Sequence, residues 1–332
     1  MNNITDSQLP MNKPEIYCYT IYGFLFSIVQ EKDMPWIYSN FIQIMYHEDW
    51  QMPVFEDHLN ILQDCPFIQS YILNFKGNDD DYIKTIINAI DNDYYCYLFL
   101  DWYYINDNYH GDHFEHSAII TGYNTLDKSF TIYDNFDNGK FIKKVVSFEN
   151  TAKAFFSSKN SSTGNKNDND QSDVFSYLRD ITFMKYNNCV YNKLDRKNIV
   201  FQIENYLKSE HTIINLIDNR STYGLNVYKT LIEKLNDIDF DMLRDFHLIY
   251  EHKYLMYKRL KYVLEKGKYD DLIKRYSDFL HEFLVLRNLY IKSRISKTGQ
   301  IQIEKIKNKL LFLAQEDKKF MQQILAAVKQ GR

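Results

Sequence analysis

The sequence predicts an α+β protein, with an antiparallel sheet in its first half and a helical region in its second. Three observations carry that prediction. The stretch from Tyr94 to Gly139 reads as three strands: YCYLFLDWYY, HSAIITGY and SFTIYD. They are aromatic or β-branched runs, and their polar residues are gathered at the ends. From about residue 195 apolar residues recur instead at three- and four-residue spacing, the period of helices with one buried face. Between the two halves lies the one low-complexity segment, SSKNSSTGNKNDNDQSD at 157–173. Without apolar residues it cannot offset its ordering entropy, so a mobile loop is expected there. The expected division is a sheet domain over 1–190 and a helical domain over 191–332.

The elements follow in order. Residues 1–14 form a polar tail ending at Pro14. Cys18 to Gln30 is apolar nearly all round, as a buried helix is. Met34-Pro35-Trp36 interrupts it, and WIYSNFIQIMYH reads as a second helical or mixed segment. Pro53 and Pro66 break the pattern over 51–78, where FIQSYILNF is either a strand or a short helix. Asp79, Asp80 and Asp81 then place carboxylates at the positive end of a helix, YIKTIINAI. Beyond the three strands, Lys143 to Phe148 is expected as a further strand and Glu149 to Phe156 as a short helix. DVFSYLRDITFMKY reads as a strand returning to the sheet. Helices are expected over 195–208, 223–236, 239–266, 269–293 and 298–330, with Gly224 and Gly267 at the breaks. The aromatic stripe Phe246, Tyr250, Tyr254, Tyr257 is expected to be core.

Composition narrows the function. With 45% hydrophobic and 25% charged residues the chain reads as a globular protein. Its 28 Tyr and 23 Phe against 10 Gly and 5 Pro reflect either genome composition or selection for aromatic surfaces. Net charge is −4, and no stretch gathers Lys and Arg densely enough to track phosphates, which argues against nucleic acid. No apolar run reaches about 18 residues, so no membrane span is expected. The opening MNNITDSQLPMNKPE lacks the layout of a signal peptide. Cys18, Cys65, Cys96 and Cys189 are widely spaced and form no CxxC pair, which points to reduced thiols in a cytoplasm.

The chemistry gathers at the strand ends. His116 opens the second strand and Asp134 closes the third. Antiparallel pairing through the turn at Asn124–Lys128 would bring both to one end of the sheet. An imidazole beside a carboxylate lacks only a nucleophile to make a triad. Cys18, at the head of the first helix, supplies one, because free N–H groups and the helix dipole there favour thiolate. Each residue also has a structural alternative: an inert core thiol, a strand-capping histidine, a turn-forming aspartate. His113 is the alternative base, and HxxH at His110–His113 invites a metal, although no third ligand beyond Asp112 or Glu115 is evident. No metal or other cofactor is expected. Asp101, acidic inside an apolar strand, is expected to be hydrogen-bonded structurally rather than to line the site.

With these residues in view, a Cys heading a helix, a His opening a strand and an Asp closing the next resemble the papain-like cysteine fold. HSAIITGYN…FTIYDNFDNG resembles the His and Asp motifs of the bacteriocin-leader peptidases of ABC transporters. It resembles more closely the N-terminal domain of the butirosin-biosynthesis acyltransferase family, companions of nonribosomal peptide and polyketide gene clusters. LP…YCYTIYGFLFSI, PWIYSNFIQI, YLFLDWYYI and YGLNVYKTLIEKL share that likeness, which spans much of residues 8–235. The resemblance implies cysteine-dependent acyl transfer from a carrier-protein thioester. Cys18 would form the acyl-enzyme, His116 would serve as base and acid, and Asp134 would orient His116. The leader peptidases carry an oxyanion-donating Gln several residues before the Cys. Here that stretch is NKPEIY, so a backbone N–H such as that of Cys18 would have to serve. Ser117 follows His116 where a bulky apolar residue is usual. The implied partners are an acyl- or peptidyl-carrier protein and a small-molecule or peptide substrate. A peptidase of the same mechanism and a non-catalytic scaffold retaining the fold are the alternatives.

Overall fold

The computed structural model describes residues 5–56, 61–161, 180–188, 193–212, 220–237, 241–296 and 299–330. In chain order its first elements are β1 (Asp6–Gln8), α1 (Thr20–Ile28), α2 (Met34–Ser39), β2 (Ile44–His47), β3 (Met52–Phe55) and α3 (Ile61–Asp64). Then come β4 (Ile68–Leu73), α4 (Asp79–Asp91), β5 (Tyr95–Asp101), α5 (Trp102–Ile105), β6 (Glu115–Asn124) and β7 (Ser129–Asp134). After these follow α6 (Phe136–Gly139), β8 (Ile142–Ser147), α7 (Phe148–Ser161), β9 (Ile181–Tyr186) and α8 (Arg196–Lys208). The chain closes with β10 (Thr222–Tyr223), α9 (Asn226–Lys234), α10 (Leu243–Val263), α11 (Asp270–Ser296) and α12 (Gly299–Gln330). The protein is α+β, with an antiparallel sheet and a helical C-terminal region.

The chain divides into two compact units, Met1–Val29 with Leu62–Val190 and Gln30–Ile61 with Tyr191–Arg332. Residues 30–61, read from sequence as part of the first domain, thus belong with the helices. The pairing shows why. β2 lies between β3 and β10, with Tyr46 opposite Thr222. The side chain of Gln202 on α8 accepts hydrogen bonds from the backbone N–H groups of Ile42 and Gln43. Buried Arg259 on α10 donates to the Tyr38 carbonyl at 2.7 Å. Those backbone groups find their partners in the second unit, and a buried backbone group goes where its hydrogen bonds are made.

In the helical unit a fully buried ion pair joins Lys253 on α10 to Asp317 on α12 at 2.7 Å. The hydroxyls of Tyr206 and Tyr228 donate to the same carboxylate oxygen. Of the aromatic stripe expected in the core, Phe246 is buried, whereas Tyr250, Tyr254 and Tyr257 are half-buried.

The first unit is a seven-stranded sheet ordered β4-β9-β5-β6-β7-β8, with β1 added on β6. Every pairing is antiparallel. FIQSYILNF resolves as the strand β4, and ITFMKY as β9, which returns between β4 and β5 as expected. The rest of the return segment, 173–179, lies outside the described residues. Of the expected loop 157–173, residues 157–161 complete α7, and the remainder lies outside the described residues. Helix α4 carries its acids in the first turn, with Asn78 and Asp81 forming a reciprocal cap.

One irregularity in this sheet has large consequences. Near the turn, Asn124 faces Ser129 and Gly122 faces Thr131, but further along Ile120 faces Ile132 and Ile119 faces Tyr133. Thr121 is therefore an extra residue, a β-bulge that shifts the register by one. Side chains alternate between faces, so a one-residue shift exchanges the faces on which facing strands present their residues. With the turn register carried through unbroken, Asp134 would share a face with Ile119 and Ser117. The bulge instead aligns it with Ala118 and, diagonally, with His116.

β1 stabilises that bulge. It lies along β6 at Gly122–Asn124, on the edge that β5 leaves after Ile120. The Leu9 N–H and the Gln8 side chain donate to the Thr121 carbonyl at 2.8 and 3.3 Å, and Gln8 also donates to the Thr121 hydroxyl. Gly122 makes the approach possible. A Cβ there would stand 2.5 Å from the Gln8 Oε1 and 2.7 Å from the Ser7 carbonyl.

Candidate active site

His116 and Asp134 meet. His116 Nδ1 lies 2.7 Å from Asp134 Oδ1 and 3.2 Å from the Ser117 carbonyl, so Nδ1 carries the proton and Nε2 is the nitrogen left for proton transfer. Asp134 is 0% exposed and the His116 side chain 12% exposed. The carboxylate is enclosed by donors. Trp102 Nε1–H donates to its second oxygen at 2.6 Å, and the Asn135 N–H donates to the first. The Thr20 hydroxyl lies 2.9 Å from Asp134 Oδ1 and 3.0 Å from Asn135 Oδ1. A buried carboxylate with donors on both oxygens is held immobile, as an orienting group requires.

Cys18 is 4% exposed and sits just ahead of α1. Sequence periodicity placed it in the first helical turn, whereas the helix starts at Thr20. Tyr19 is extended (φ −127°, ψ 149°) and caps the helix with its carbonyl, to which the Tyr22 and Gly23 N–H groups donate. Both flanks of Cys18 are tied to the corner that carries Asp134. Asn135 Nδ2 donates to the Tyr17 carbonyl at 2.7 Å, and Thr20 bonds Asp134 and Asn135. The head of α1 and the end of β7 are therefore fixed to each other within the first unit.

Asp101 has the structural role expected of it. The Tyr103 and Phe114 N–H groups donate to Oδ1 at 3.0 and 3.1 Å. Ser157 and His113 occupy Oδ2 at 2.7 and 2.6 Å. Burial alone would raise this carboxyl, but the bonds from Ser157, His113 and the two N–H groups outweigh it and hold the group below the usual range. Asp101 thus clasps both ends of the 102–114 loop, and Trp102 N–H also donates to the Phe114 carbonyl at 2.9 Å. His113, the alternative base, bonds Asp101 and lies in that clasp. Among the described residues no group of three His, Cys, Asp or Glu side chains is arranged to hold a metal ion. No described helix is long and apolar enough to cross a membrane.

Trp102 and Thr20 belong to the site but are not legible as such in the sequence, and Asn135, a less favoured orienter on its place in the turn, instead ties the Tyr17 carbonyl to that corner. Trp102 stands in an aromatic run that gives it no role of its own. Only the position of Asp134 gives its indole N–H a purpose. The available signal is that a Trp shielded from water places its N–H on an acceptor.

The class that fold and site define is therefore an α+β protein with a His–Asp pair whose carboxylate is fully buried, at the corner to which the residues flanking Cys18 are tied. No protein-family model matches the chain, and no curated protein matches it.

Proposed function

We propose that this protein is a cysteine-dependent acyltransferase, or a thioester or amide hydrolase, acting on an aminoacyl or peptidyl intermediate carried as a thioester on a carrier protein in the cytoplasm. The observation that carries the reading is the 2.7 Å bond from His116 Nδ1 to the fully buried Asp134. It fixes the tautomer and aim of the imidazole in the way a proton-transferring histidine needs. The ties from Tyr17 and Thr20 to Asn135 and Asp134 bring the chain around Cys18 to the same corner. The resemblance of these motifs to the butirosin-type acyltransferases names the substrate class.

In this mechanism His116 Nε2 takes the Cys18 proton, the thiolate attacks the thioester carbonyl, and a backbone N–H stabilises the oxyanion. Collapse forms S-acyl-Cys18 and expels the carrier thiol, which takes its proton from His116 Nε2. An amine then attacks the acyl-enzyme and gives its proton to His116, releasing the amide and the thiolate. Water in place of the amine gives hydrolysis, and a peptide in place of the thioester gives the peptidase reaction.

The test is the pH dependence of iodoacetamide labelling, read by peptide mass in wild type and His116→Ala. Cys65 and Cys96, both buried, serve as internal standards. Burial pushes the Cys96 thiol far up. Rapid labelling of Cys18 near about pH 6 that slows in the variant is expected of a thiolate paired with His116. Labelling only above about pH 8 in both proteins, as for an ordinary thiol, would overturn the reading.

A further inference from the structure

Beside His116 stands an aromatic wall whose residues the catalytic steps do not use. Trp102, Tyr109 and Phe114 contact one another with ring centroids 5.6–6.2 Å apart. Phe114 lies against the imidazole at 5.9 Å with ring planes 29° apart, and Trp102 does so at 4.9 Å. Phe114 is nonetheless 41% exposed. It is also held rigidly. Asp101 accepts its N–H, Trp102 N–H donates to its carbonyl, and the middle of the loop is tied through Asn108 to Asp137 and through Asn106 to Lys144. An exposed aromatic ring costs solvation, and one fixed in place beside a reactive imidazole is preorganised to cover a ligand.

Its position decides which part of the ligand it meets. In acyl transfer the imidazole delivers a proton to the departing thiol and then takes one from the incoming amine. The groups beside the ring therefore face the leaving-group and acceptor side, and the acyl chain lies away from it. We propose that Phe114 and Tyr109, backed by Trp102, form an acceptor subsite for an amine that carries a flat aromatic ring. This rests on the acyl-transfer reading. The Asp101 clasp positions the subsite.

The test uses the whole protein acetylated on Cys18 by S-acetyl-N-acetylcysteamine, with acylation confirmed by intact mass. The acyl-enzyme is offered 2-phenylethylamine and butylamine together, and the two acetamides are quantified. Their ratio is divided by that for S-acetyl-N-acetylcysteine in the same buffer without protein. Wild type is expected to favour 2-phenylethylamine about ten-fold over the solution ratio, the scale of one ring stack plus its burial. Phe114→Ala is expected to return the ratio to within about two-fold of solution, with Phe114→Leu between, as loss of one such contact requires. A wild-type ratio equal to that in solution overturns the subsite and leaves acyl transfer standing. Equal slowing of both amines in Phe114→Ala with the preference intact means that Phe114 only positions His116, and overturns it too. Failure of wild-type Cys18 to acetylate removes the acyl-transfer reading and the subsite together.

Discussion

Replacing Asp134 by asparagine tests the site through hydrogen-bond arithmetic alone. The two carboxylate oxygens face different donors, His116 Nδ1–H on one side and Trp102 Nε1–H on the other. An asparagine has one oxygen and one NH2, so in either orientation at least one donor meets another donor. With the amide oxygen on His116, the Trp102 N–H loses its partner in a part-buried position. With the oxygen on Trp102, the NH2 faces Nδ1, which forces the imidazole proton to Nε2 and removes the base. A buried unsatisfied donor costs about 1–3 kcal/mol. For a chain of this size each kcal/mol lowers Tm by about 2 °C, so a fall of about 2–6 °C is expected. Cys18 alkylation at neutral pH should slow as well. The decisive control is the double variant Asp134→Asn, Trp102→Phe. Phenylalanine removes the opposing N–H, so the double variant should be more stable than the sum of the single changes by about 1 kcal/mol. Thermal unfolding by calorimetry measures all four proteins. Strictly additive effects, or a loss below about 0.5 kcal/mol in Asp134→Asn, would refute the reasoning, because independent sites add within that margin.

Two further outcomes follow from other parts of the molecule. Asp245, at the start of α10, is buried, and its Oδ2 has no hydrogen-bond partner among the described residues. Burial first, then the neighbouring Asp241 charge, pushes its carboxyl up to about 8. The unfolded chain ionises this group near its ordinary 3.8 while the folded protein keeps it protonated, so stability falls as pH rises from about 4 to about 8. Asp245→Asn should therefore match wild type near pH 4 and exceed it at pH 8, by at most about 5 kcal/mol. Parallel Tm–pH curves would refute this. Gly122→Ala should press against the Ser7 carbonyl and Gln8 and cost about 1–3 kcal/mol. It should also expose the Leu9 amide, which now donates to the bulged Thr121, to hydrogen exchange. Unchanged protection of Leu9 would show that β1 does not depend on that close approach.

The sequence alone determined the elements of this protein and their order. Runs such as YCYLFLD are apolar at nearly every position because β5 is buried almost throughout. The three- and four-residue spacing beyond residue 195 became α8 to α12. Sequence also placed His116 and Asp134 at one end of paired strands, since turn and strand lengths fix that much. Tertiary structure decided the rest. Residues 30–61 left the sheet domain because β10, one partner of β2, and the partners of the Tyr38 and Ile42 backbone lie beyond residue 195, a pairing that no local pattern encodes. His116 and Asp134 share a face only because Thr121 bulges, and it bulges where β1, more than a hundred residues earlier, supplies Leu9 N–H and Gln8 to its orphaned groups. A period-two pattern is blind to one extra residue, since what absorbs that residue is a hydrogen bond from a distant strand.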